Sequence, residues 1–270
     1  MASRALSSDG KEAVATVAMN EIDTRRLLLP SITDWLEIAQ ELQQLVWGAL
    51  ADATTDVDAN TVSKPQLVAH YLVTRLHDEL RAVTSLVSSG FVIQALSLDA
   101  GMLEFAFTVG WVGKRQERAI DWLTWTNEKK TPIDKVRLAI AATYENGGSA
   151  NVAALVDNEY WHYTTLCKIK HGNPKERRQF GIDLDDKGQP ARFAGDLLSP
   201  QFIDASRLAL WYAVRYMWLG VGCYNDFYGR PAFHVAHGEK LRLIRLRIER
   251  TRQADEDRTA QRALADAKSI

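Results

Sequence analysis

The chain has little cysteine, almost no net charge, and none of the short motifs that mark the common catalytic machines. Two cysteines in 270 residues, Cys167 and Cys223, exclude a disulfide framework and a cysteine-rich zinc site. Both fall in apolar helical patterns, where a thiol serves as a small hydrophobe. Such sparing use fits a reducing cytoplasm, and a cytoplasmic location is expected. The formal net charge of −1 provides no global field toward nucleic acid or a membrane surface. No signal-peptide pattern is expected at the N-terminus: the best apolar stretch, Ala13 to Met19, is short and follows Asp9 and Glu12. No stretch approaches the roughly 18 to 20 apolar residues of a membrane span, so no membrane partner is expected. The run from Leu208 to Cys223 is interrupted by Arg215 and reads as a buried helix. There is no Gly-rich phosphate loop, His-Glu-x-x-His zinc helix, Gly-x-Ser-x-Gly elbow or Asp-rich calcium loop. His234 and His237 are three apart and suit one helix face, but no Asp, Glu or Cys stands near them in sequence. Neither a metal nor another cofactor is expected.

What the chain does have is helical periodicity. The length suffices to bury a sizeable core. Residues 1–30 read as a mobile arm with at most a short helix near Glu12 to Glu21, residues 31–235 as a helical-bundle domain, and residues 236–270 as a charged C-terminal helix. Ser31 with Asp34 resembles a capping box that opens the first long helix, and Leu36, Ala39, Leu42, Leu45 and Val46 follow at helical spacing. Pro65 starts a second helix that Gly90 stops. A third, from about Phe91 to Val112, is apolar nearly all round and belongs at the centre. Shorter helices are expected over 115–126, from Thr131-Pro132 to Gly147, and over 150–170. Phe180 to Phe193, with an Asp-Asp-Lys-Gly turn, predicts a hairpin-like insertion near residues 175–195. Ser199-Pro200 opens a helix reaching Tyr228, and a last helix covers 236–266, its polar second half a solvated or fraying extension or an oligomer contact. The expected fold is therefore all-α, an antiparallel bundle of seven or eight helices.

Chemistry concentrates at the end of the sixth helix. Tyr163, Lys168, Lys170 and His171 bring a phenol, two ammonium groups and an imidazole to one helix terminus. A histidine there is favoured as a cation by the exposed carbonyls, which is a structural role. Its functional role would be a general base or an anion contact, with Lys168, Lys170 and Tyr163 binding. Glu104, in Leu103-Glu104-Phe105-Ala106-Phe107, is the candidate partner, because a carboxylate inside so apolar a helix must be paired, solvated in a cleft or protonated. Four tryptophans, Trp111, Trp122, Trp125 and Trp161, could line a ligand pocket or pack as core. From Gly238 to Arg252 six basic residues oppose Glu239 and Glu249, a pattern for a solvated face or for contact with RNA or an acidic partner.

The helix ending at Gly90, the Ala95-Leu96-Ser97-Leu98 segment, Glu104, the tryptophan-bearing short helix, Tyr163 and the Lys-x-His171-Gly ending occur in that order, with a hairpin-like insertion and an amphipathic closing helix behind them. Over roughly residues 64–229 this resembles uncharacterised bacterial helical-bundle families distantly similar to HEPN domains. Leu98 and Asp99 stand where those families carry an Arg. The resemblance implies an all-helical fold and a defence or toxin setting. HEPN ribonucleases use an Arg followed by a His after four to six residues; Arg230 and His237 fit that spacing, and His171 has no such Arg. So loose a spacing recurs by chance in a chain with six histidines. The expected function is an interaction or oligomerising protein with a protein partner or a second copy of itself. The alternatives are a HEPN-like RNA-binding or RNA-cleaving protein and a small-ligand binder with an aromatic pocket.

Overall fold

The computed structural model of the chain describes residues 8–54, 61–113, 115–124, 133–171, 183–184, 190–192, 200–228 and 231–268. Eight helices are described: α1 (Ser8–Thr54), α2 (Lys64–Ser88), α3 (Val92–Val112), α4 (Gln116–Leu123), α5 (Ile133–Asn146), α6 (Val152–Lys170), α7 (Pro200–Tyr228) and α8 (Pro231–Lys268). Between α6 and α7, β1 (Asp183–Leu184) and β2 (Pro190–Arg192) pair antiparallel, with Asp183 opposite Arg192. The chain is thus the all-helical bundle that its periodicity predicts, with the hairpin in the expected segment. Residues 1–7, the Thr131-Pro132 helix start, Trp125 and Arg230 lie outside the described residues, as do the side chains of His234 and Pro231.

α3 is the axis of the bundle. It packs most extensively on α2 and α7, and also on α5 and α6, which meet it at Gly110 and Glu104 respectively. Its Leu96, Ala100, Leu103, Ala106 and Phe107 are fully buried. By length and composition α3 is also apolar enough to cross a membrane, so the expectation that no stretch reaches that threshold fails. In the bundle 56% of that apolar stretch is buried among neighbouring helices, Ile93 stays exposed, and Asp99 and Glu104 interrupt the apolar surface. α3 meets α5 at Gly110, where an added Cβ would lie 2.2 Å from Thr143 Oγ1 and 2.8 Å from Thr143 Cβ. α2 opens as Pro65 predicts, and a capping box completes it: Ser63 N–H donates to Gln66 Oε1 at 3.0 Å while Gln66 N–H donates to Ser63 Oγ.

Two boundaries differ from the sequence reading. The expected start at Ser31 does not exist, because α1 runs unbroken through Pro30. An internal proline costs about 3 kcal/mol, yet Leu28, Ile32, Ile38 and Leu42 are buried on one continuous stripe. At about 1.5–3 kcal/mol each, that stripe outweighs the break. Ser31 caps nothing; its carbonyl accepts from Arg207 Nε at 2.9 Å. Similarly, α8 begins at Pro231 rather than 236, since proline suits a first helical position. Leu241, Ile244 and Ile248 do form its buried face. Its polar second half is anchored, not fraying. Asp255 is buried and accepts a 2.7 Å hydrogen bond from Trp35 Nε1 of α1. Asp255 also meets Arg207 of α7 at 3.4 Å, and Arg262 Nη2 donates to both Asp204 oxygens at 2.7 and 2.6 Å.

Candidate functional site

The residues expected to form a catalytic pair are not joined. His171 sits one residue past α6, its backbone N–H bonded to Cys167 O, with its side chain exposed and without a hydrogen bond among the described residues. Lys168 and Lys170 are exposed beside it. Glu104 is taken by another partner from α6: Tyr163 Oη donates to Glu104 Oε1 at 3.0 Å. Tyr163 lies eight residues before His171, about 12 Å of helix rise, so one α6 cannot bring both to the same carboxylate. Burial and then the Glu104 charge push the Tyr163 phenol far above its ordinary range, and burial pushes the neighbouring Cys167 thiol up. The phenol therefore stays protonated and donates; neither group is activated as a nucleophile. His237 is buried and its Nε2 lies 2.9 Å from Asp52 Oδ2, so it joins the start of α8 to the end of α1. Among the described residues no group of three metal-ligating side chains occurs.

A different polar network occupies the interior. Glu159 of α6, only 1% exposed, accepts from Tyr144 Oη of α5 at 2.8 Å and from Tyr216 Oη of α7 at 3.4 Å, and pairs with Arg215 of α7. One carboxylate thus joins three helices and offsets the buried guanidinium. The Arg215 guanidinium lies 5.1 Å from the Trp211 ring centroid and 5.5 Å from that of Tyr216. Its Nη1 is buried and has no partner among the described residues. Above it, His162 Nδ1 lies 2.7 Å from Tyr212 Oη. Burial, then the charges of Arg215 and Arg252, lower the His162 pKa to about 4, so the ring is neutral and shares a hydrogen bond with the Tyr212 hydroxyl.

Arg215 also forms part of the wall of a wide cleft of about 1460 Å³. Its origin is topological. α8 packs on α7 and α1, whereas α5 packs on α3 and α6, and the gap between α5 and α8 is floored by α7. Trp211, Arg215, Trp218 and Gly222 follow at i, i+4, i+7 and i+11 and present one face of α7 to it. Leu241, Arg245, Ile248 and Arg252 do the same from α8. Trp218 Nε1 donates to Leu241 O at 2.9 Å, which fixes the indole where the two helices meet. Arg245 lies 5.7 Å from the Trp218 ring and Arg252 4.7 Å from the Trp211 ring. Gly147 and Asn146 close the α5 side.

The fold and the cleft define a helical bundle with an aromatic and arginine-lined groove at one side. No protein-family model matches the chain, and neither a curated protein nor a solved structure matches it.

Of the tryptophans expected at a pocket, the three described ones do not line the cleft. Trp111 and Trp122 pack against the core, Trp161 is exposed on α6, and Trp211 and Trp218 line the cleft. Arg215 had a visible signal, as the one charge inside an apolar run. Glu159 had a fainter one: Val156, Glu159, Leu166 and Ile169 share the buried face of α6.

Proposed function

We propose that this chain is a binding protein that receives a small ligand in the cleft between α5, α7 and α8. The observation that carries this reading is the 1460 Å³ groove whose floor and wall are aromatic and apolar side chains interleaved with arginines. Ligand sites combine a large apolar area with a few polar groups that orient, and Trp211, Trp218, Leu241 and Ile248 with Arg215, Arg245 and Arg252 have that composition. The RNA-cleaving reading has less support, because His171 has no carboxylate partner among the described residues and His237 is buried against Asp52.

The test fills the cleft from its floor. A Cβ added at Gly222 meets nothing within 4 Å, and replacing a helical glycine adds up to about 1 kcal/mol of stability. Gly222→Leu therefore leaves the melting temperature equal or higher while it blocks the groove. The uncharged dye phenylnaphthylamine, which brightens in apolar sites, binds the parent chain and loses that binding in Gly222→Leu. If the dye fails to bind the parent, or binds both chains alike, the cleft is not a ligand site.

A second reading, a protein that self-associates or docks another protein, is supported by a separate surface. Leu67 and Tyr71 of α2 are 54% and 52% exposed, beside the exposed Ile120 and Leu123 of α4. Tyr71 and Trp122 rings lie 5.6 Å apart across the two helices, which makes the patch continuous.

A further inference from the structure

We infer that the ligand of this cleft is a planar organic anion, held with its flat body against Trp211 and Trp218 and its oxyanion between Arg215, Arg245 and Arg252. The inference rests on the cleft being a ligand site and names the chemical class that fits it.

Charge is the first argument. Five arginines line the groove, Arg115, Arg215, Arg242, Arg245 and Arg252, against two glutamates, Glu249 and Glu256. The pairs that engage the α8 arginines are weak. Arg245 with Glu249 at 2.7 Å and Arg252 with Glu256 at 2.9 Å are i,i+4 contacts between partly exposed side chains on one helix. Such pairs contribute little and exchange readily for a ligand carboxylate, sulfonate or phosphate, which a guanidinium grips with two parallel bonds.

The second argument is an unsatisfied donor. Arg215 Nη2 holds Glu159, but Nη1 is buried without a partner among the described residues. The side chain as a whole is 24% exposed at the cleft wall, so an anion seated in the groove meets a cation that one buried carboxylate only partly satisfies. Arg215 and Arg252 both approach the Trp211 ring, at 5.1 and 4.7 Å, so two like charges share one indole. A negative group beside that indole relieves their repulsion.

The third argument is shape. Trp211 and Trp218 stand two turns apart on one face of α7, each with an arginine over its ring. Indole and guanidinium planes both favour a flat, conjugated partner. A bare phosphate or an aliphatic acid would use the arginines and leave the indoles uncovered.

The experiment compares two dyes with the same aromatic body, anilinonaphthalenesulfonate and the uncharged phenylnaphthylamine. In low salt the sulfonate binds the parent chain at least about tenfold more tightly, and added salt erodes the difference. Arg245→Gln with Arg252→Gln in one chain brings the two affinities to within about threefold, while an unaltered circular dichroism spectrum shows that the chain is still folded. Equal affinities in the parent overturn the anion inference while the cleft reading stands. Survival of the sulfonate preference in the doubly substituted chain also overturns it, by placing the anion elsewhere. If neither dye binds the parent, the cleft reading falls and takes this inference with it.

Discussion

Glu159, Glu104 and Asp99 are three carboxylates set among the helices of one bundle, and their partners separate their chemistry. Glu159 has a guanidinium and two phenols; Glu104 has one phenol. Asp99 is fully buried, and neither of its oxygens has a hydrogen-bond partner among the described residues. Burial, then the charge of Glu79, raises its pKa well above the ordinary carboxylate range. In the folded chain it is therefore held as the neutral acid, whereas the unfolded chain ionises it above about pH 4. A raised folded pKa supplies stability that is complete below the unfolded value and is lost as pH climbs toward the folded one. Asp99→Asn, neutral at every pH, should accordingly be more stable than the parent at pH 8 by about 1–3 kcal/mol, and no more stable near pH 4. Urea midpoints at the two pH values measure this; an advantage independent of pH would show that Asp99 is not held neutral. At this scale the sequence was partly legible. Glu104 and Tyr163 each stand out by type and place, but 59 residues separate them, and nothing local says that they meet. Asp99 stands out as a carboxylate in an apolar helix, without revealing its isolation.

Elements were the most legible level wherever local chemistry and tertiary packing agree. α2 to α7 carry their own punctuation: Ser63 and Pro65, Gly90 at φ 86°, Gly148 at φ 69°, Pro200. α1 fails the same reading because packing overrides Pro30 beneath a continuous buried stripe, whereas α8 starts earlier than expected because Pro231 is itself a favourable first helical residue. Close approach between elements is equally invisible locally. Gly110 and Gly222 are both helical glycines lining the cleft, yet their surroundings are opposite. A Cβ at Gly110 runs into the branched Thr143 near its own Cβ, where rotation gives little relief, and one at Gly222 meets open space. Gly110→Ala should destabilise by about 1–3 kcal/mol by forcing α3 and α5 apart. Gly222→Ala should add up to about 1 kcal/mol. Denaturant melts of both variants report the contrast, and a stabilised Gly110→Ala would contradict the tight α3–α5 crossing.

For the molecule as a whole, the class of fold was legible and the candidate site was not. Hydrophobic periodicity yields a helical bundle without any knowledge of which faces meet. The cleft takes residues from α3, α5, α6, α7 and α8, and its volume depends on α5 and α8 packing against different partners. No window of sequence contains that information. The apolar patch on α2 and α4 leads to a prediction at this scale. If it is a contact between copies, the mass in sedimentation rises from monomer toward dimer with concentration, and Leu67→Glu keeps the chain monomeric. A mass that stays monomeric over the accessible range removes the self-association reading and leaves the cleft untouched.

The Trp35–Asp255 bond has one more consequence, and it concerns time. Its partners are 220 residues apart, one in the first helix and one in the last. At about 5–20 residues per second, a ribosome needs on the order of ten to forty seconds between making the indole and making its acceptor. α1 must meanwhile wait with Leu28, Ile32 and Trp35 unsheltered by α7 and α8, which are made after every other described helix. During translation the nascent chain therefore carries an open greasy seam, and the charged tail that looks least important in the sequence is the piece that shuts it.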